Sequence, residues 1–239
     1  MKRTQLKNGL RVVMEQIPTC RSVSFGIWVK TGSRNEQPEV GGISHFIEHM
    51  LFKGTDRFSA RDIAEQFDAI GGNVNAFTSK EYTCYYAKVL DEHLPIAVDV
   101  LADMFFRSLF DAEELRKEKN VIVEEISMYE DTPDDMVHDL VSQAAYGDHP
   151  LALPILGTEE KLRAMESDHL RAYMREHYTI ENTVISVAGN IDDQVVELLE
   201  KYFGDFAIRG DRGSLAAPDF LGDLKFYRKK TEQNHICLS

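Results

Sequence analysis

Three residues able to do chemistry together stand in one short run, His45-Phe46-Ile47-Glu48-His49. On a helix the two histidines, four apart, project from one face a turn apart, so both imidazoles reach a single metal ion. Glu48 lies beside them, where a carboxylate can take a proton. Stepping residues at ~100° puts His45, Glu48, His49 and Phe52 in one arc and Ile43, Phe46, Ile47, Met50 and Leu51 in the opposite arc. Incidental surface histidines would share their stripe with Lys and Glu. This stripe instead pairs metal-binding groups with a large aromatic, as a helix facing a cleft would.

A catalytic zinc takes three protein ligands and keeps one position open, so a further ligand must come from elsewhere. The acidic segment after Asp111 is the place to look. Glu118 and Glu125, seven apart, share one helix face, and Val121, Ile122, Val123 and Ile126 around them are apolar enough for burial, while Glu124 points about 100° away. For any single acid there, a solvated face is the alternative. Zinc so held lowers the pKa of a coordinated water toward ~7 and polarises a carbonyl, and Glu48 beside it then serves as general base. Neither a Gly-x-Ser-x-Gly elbow nor a reactive-cysteine context offers a nucleophile. His93, His138, His149, His169, His177 and His235 lack paired metal spacing and read as surface or capping residues.

The elements that must position these groups follow from periodicity. Residues 4–16 and 22–31 alternate as strands, with Asn8-Gly9 a hairpin-turn signal and Trp28 a core residue. Helical spacing runs from about Gly42 to Lys53 and from Ser59 to Ile70, the second with a Ser59/Asp62 capping box. A hairpin spans 73–88 around Ser79-Lys80-Glu81. Its first strand is short, polar and small, so it is either a protected edge or one open to an extended peptide. Helices are expected at 93–107, from Asp111 to a break near Thr132-Pro133, and at 134–145, 159–165, 168–177 and 192–203, with a strand at 183–188. The order describes an α+β fold, a mixed/antiparallel sheet packed with helices. Arg209 to Pro218 is the best linker, and Phe226 to Ser239 resumes an extended pattern like the start of a further domain.

The chain has 239 residues, 27 basic against 40 acidic, for a net charge of -13. Nucleic acid and anionic membrane are thereby disfavoured as partners. No stretch reaches the ~18 apolar residues of a membrane span. Cys20, Cys84 and Cys237 form no CxxC pair and suit a reducing compartment. With no signal-like leader, a cytoplasmic location is expected, or the mitochondrial matrix if a leader has been removed.

The run Gly41 to Thr55, Gly-Gly-Ile-Ser-His-Phe-Ile-Glu-His-Met-Leu-Phe-Lys-Gly-Thr, resembles the inverted zinc motif of the pitrilysin-type (M16) metallopeptidases, most closely the branch of mitochondrial processing peptidase and its bacterial relatives. Gly71-Gly72-Asn73-Val74-Asn75-Ala76-Phe77-Thr78, Leu156-Gly157-Thr158-Glu159-Glu160 and His177-Tyr178 extend the likeness over nearly the whole chain. The resemblance implies His45, His49 and Glu125 as ligands of one Zn2+, Glu48 as general base, Glu118 as support, and Asn75, Ala76 and Phe77 as a strand that binds extended peptide. It implies an M16 half-domain over 1–208, with 209–239 linking into a second homologous half, the two enclosing a chamber in a protein expected to be dimeric. The expected activity is endopeptidase action on peptides or unfolded polypeptides. A non-catalytic subunit of the same fold is the alternative; it would lack the HxxEH or the distal glutamate, and neither is lost. A fortuitous motif in an unrelated metal-binding protein is the other alternative, separable by zinc analysis with a peptidase assay.

Overall fold

A computed structural model describes residues 1–210, 215–230 and 232–238. Alternating apolar residues build one six-stranded sheet from β1 (Lys2–Gln5), β2 (Arg11–Gln16), β3 (Ser22–Val29), β4 (Asn73–Thr78), β5 (Thr83–Leu90) and β6 (Thr183–Gly189). Its order is β1-β2-β6-β3-β5-β4, all neighbours antiparallel except β2 and β6. Register sets Val12 and Met14 against Ile185 and Val187, and Phe25 and Ile27 against Ala87 and Tyr85, so one face is continuously apolar. Eight α-helices and four short 3-10 turns accompany the sheet among the described residues, the α-helices being α1 (Ile43–Leu51), α2 (Ala60–Ala69), α3 (Leu94–Arg107), α4 (Ala112–Asp131), α5 (Pro133–Tyr146), α6 (Glu159–Ala164), α7 (Ser167–His177) and α8 (Gln194–Phe203). Strands from both ends of 1–208 interleave, so this sheet cannot form until β6 returns between β2 and β3.

The helix boundaries have visible chemical causes. Ser59 accepts the Asp62 amide while Asp62 accepts the Ser59 amide, closing the capping box of α2. Asp111 accepts from the amides of Glu113 and Glu114 to start α4, and Pro133 begins α5 after non-helical Thr132. His149 accepts a backbone amide at the start of the 3-10 turn Pro150–Ala152 and His169 one at the start of α7, which places them in capping roles.

One expectation needs correction. Trp28 is not core: it is 37% exposed and donates its indole N–H to Ser186 Oγ at 2.8 Å. It shares parity with Ser24 and Gly26, whereas Val23, Phe25, Ile27 and Val29 take the buried face. The extended pattern after Phe226 forms no strand among the described residues, and Leu224, Phe226, Ile236 and Leu238 stay exposed. The chain there is anchored upstream, where the Leu221 and Asp223 amides donate to Ala145 and Ala144 carbonyls at the end of α5. Of the linker, residues 211–214 lie outside the described residues, as do Thr231 and Ser239.

Candidate metal centre

The helix carrying the histidines is held by its apolar back. Ile43, Phe46, Ile47, Met50 and Leu51 of α1 are each 0–1% exposed. At about 1.5–3 kcal/mol per buried side chain, they outweigh the cost of burying the polar groups on its other side. The entry to α1 is equally constrained. Gly42 has φ 95, and a Cβ there would meet the Leu156 carbonyl oxygen at 2.6 Å; a Cβ on Gly157 would meet the Gly41 oxygen at 2.2 Å. Two glycine-bearing segments distant in sequence thus cross backbone to backbone. Glu36, 4% exposed, accepts the amides of Gly42 (2.6 Å) and Ser44 (2.9 Å), capping the helix from outside it. Burial pushes its carboxyl above the usual range, with these two bonds working against that shift.

On the front of α1, His45 Nε2 and His49 Nε2 stand 3.2 Å apart. Glu125 Oε2 of α4 lies 3.7 Å from the first and 3.6 Å from the second. Among the described residues, this trio is the group of three or more ligand-type side chains able to share a metal, its ligand atoms all within 4.8 Å of one another. Ligands at ~2.0–2.2 Å around a tetrahedral zinc lie roughly 3.3–3.5 Å apart, so the spacing and the two-nitrogen, one-oxygen donor set both fit that ion. Burial, with the neighbouring His49, lowers the His45 pKa to about 3, which leaves its imidazole neutral and able to ligate.

Around the trio stand four further groups. Glu118, 4% exposed, accepts the His49 Nδ1 proton at 2.8 Å through Oε1, and Lys53 Nζ lies 2.6 Å from Oε2. Burial pushes the Glu118 carboxyl up, but its bonds to His49 and Lys53 prevail and hold it below the usual range. Glu48, half-buried beside the histidines, accepts the Thr78 hydroxyl on Oε2 at 2.5 Å. Burial raises its pKa against the opposing pull of that hydroxyl, so this carboxylate is a stronger base than one in water. Glu124 is exposed, as its ~100° offset foretells.

Sequence reasoning missed Thr78 and Lys53. Lys53 had a signal, since it stands four residues after His49, within reach of the groups that stripe presents. Thr78 had none, because its approach to Glu48 depends on how β4 packs under α1. Asn75, Ala76 and Phe77 lie in β4, which forms one edge of the sheet.

Comparison with known proteins bears on this constellation. A family model described as Insulinase (Peptidase family M16) matches residues 11–159, which contain all of these groups. Another, described as Peptidase M16 inactive domain, matches residues 164–239. The chain is 60% identical over 238 residues to "Uncharacterized zinc protease YmxG" of Bacillus subtilis, covering 100% of this chain and 58% of that protein. It is 43% identical over 250 residues to "Uncharacterized zinc protease SCO5738" of Streptomyces coelicolor, covering 100% and 54%. The chain therefore spans little more than half the length of these curated relatives. Among solved structures, a protease from Helicobacter pylori superposes with a TM-score of 0.82 at 26% identity, over 92% of this chain and 53% of that one. The Escherichia coli periplasmic protease PqqL gives 0.84 at 21% identity over 91% and 25%, a likeness of fold.

Proposed function

We propose, for a chain that belongs to peptidase family M16, that it carries the catalytic half of a zinc-dependent endopeptidase acting on extended peptides or unfolded polypeptides. The observation that carries this reading is the ligand trio His45, His49 and Glu125 with the carboxylate of Glu48 beside it. A non-catalytic subunit would have no use for that set.

In this reading His45, His49 and Glu125 hold the zinc, which supplies a Lewis acid for the scissile carbonyl and lowers the pKa of coordinated water. Glu48 takes the water proton and delivers it to the departing amine. With Oε2 occupied by Thr78, Oε1 is the oxygen free for that transfer. Glu118 keeps the His49 proton on Nδ1 and so presents the Nε2 lone pair to the metal. Residues 1–208 form the domain that bears the site, 209–239 lead into a second homologous half that completes the enzyme, and the whole protein is a dimer. No described helix is long and apolar enough to cross a membrane.

Substrate is assigned to the open side of β4. The Ala76 amide there donates only locally, to Asn75 Oδ1 at 2.9 Å, a bond that a docking peptide backbone can replace. Phe77 points from the opposite sheet face to Thr78, against Trp28 and Tyr82 at 5.8 and 6.0 Å between ring centroids. The reading is tested with the full-length protein and an unfolded polypeptide: chelation should abolish cleavage and added zinc restore it, and persistent cleavage in chelator would overturn it. In the same assay, N-methylating substrate amides next to the scissile bond should weaken binding roughly tenfold per lost hydrogen bond. Conservative side-chain changes should cost little. Full tolerance of the N-methyl groups would refute β4 as the docking strand.

A further inference from the structure

We propose that Lys53 is a positioning residue for the metal centre, acting through Glu118 on the imidazole of His49. The inference rests on the zinc reading above. Lys53 sits two residues past the end of α1 and four after His49, so both side chains reach the same carboxylate on α4. Lys53 Nζ takes Glu118 Oε2 at 2.6 Å, and Oε1 accepts from His49 Nδ1 at 2.8 Å. A carboxylate with one partner turns about its last torsion and offers either oxygen. Clamped on Oε2, it offers His49 only Oε1, in one orientation.

That clamp matters because the other ligand histidine lacks one. The Nδ1 of His45 is buried without a hydrogen-bond partner from the protein, so that ring, which meets His49 through Nε2 at 3.2 Å, has no carboxylate behind it. The direction of the metal-facing lone pair of His49 therefore depends on the chain Lys53–Glu118–His49. The pair also counts in charge: Glu48, Glu118 and Glu125 crowd the site, and Lys53 brings an ammonium into contact with one of them. A surface tie between α1 and α4 would need none of this; yet the carboxyl side of the pair is 6% exposed and the ammonium 29%, so the bond is partly buried and its carboxylate end is shielded from solvent.

The test measures zinc dissociation constants of the full-length protein by competition with a chromophoric chelator. Lys53→Met should raise the constant by about tenfold, the low end of what outer partners of metal ligands contribute. Lys53→Arg should restore it to within about threefold, since a guanidinium also binds a carboxylate oxygen. In the metal-free wild type, imidazole nitrogen shifts should show His49 held as the Nδ1–H tautomer, a readout that does not require any variant to fold. An Nε2–H or averaged His49 would overturn the proposal. So would a Lys53→Met protein that binds zinc as wild type does while Glu118→Gln binds it more weakly. Wild-type protein that binds no zinc would instead overturn the metal reading itself.

Discussion

Glu48→Gln should keep its zinc and lose turnover by at least ~10²–10⁴-fold, the range attached to general acid–base catalysis. The amide has the shape of the carboxylate, and its oxygen still accepts the Thr78 hydroxyl that fixes Oε2 at 2.5 Å in the parent. Orientation is thus retained while basicity is removed. Glu48 is not among the ligand atoms that cluster within 4.8 Å, so metal content should stay unchanged. Burial raises the Glu48 pKa, so the lost group is one poised to hold a proton, and no neighbour replaces it: Glu118 is engaged by His49 and Lys53. Turnover within about threefold of wild type would remove Glu48 from the role of base.

His45→Ala should abolish stable zinc binding, from about one ion per chain to almost none, because a three-ligand site reduced to two no longer encloses the ion. The fold should survive the change. His45 is 7% exposed, strongly desolvated and has a buried Nδ1 without a partner, so removing its ring relieves an unfavourable burial at the same time as it leaves a cavity. The five apolar residues on the back of α1 remain in place. Metal analysis paired with the thermal unfolding midpoint separates loss of ligand from loss of fold. Unchanged zinc content in a folded variant would sink the ligand assignment.

What could be read in the sequence was local. The division of α1 into an apolar back and a chemical front follows from helical period alone, and the buried set Ile43, Phe46, Ile47, Met50 and Leu51 matches it. The Ser59/Asp62 cap, the Asp111 start and the Pro133 break are likewise decided within a few residues. What stayed hidden depends on contacts between distant segments. The β2–β6 pairing joins residues more than 160 apart, such as Arg11 and Val184, and no local pattern announces it. Thr78 reaches Glu48 across 30 residues and Glu36 caps α1 from its loop, both products of packing. Trp28 was misread because hydrophobicity alone ignores parity: its strand neighbours of the same face are Ser24 and Gly26.

The central claim is that His45, His49 and Glu125 enclose one zinc ion. Anomalous diffraction at the zinc edge, from crystals of the wild-type protein, tests it most directly. The account predicts a single peak about 2.0–2.2 Å from His45 Nε2, His49 Nε2 and a Glu125 carboxylate oxygen. A peak elsewhere, or zinc-loaded protein with no peak between these three side chains, would contradict it.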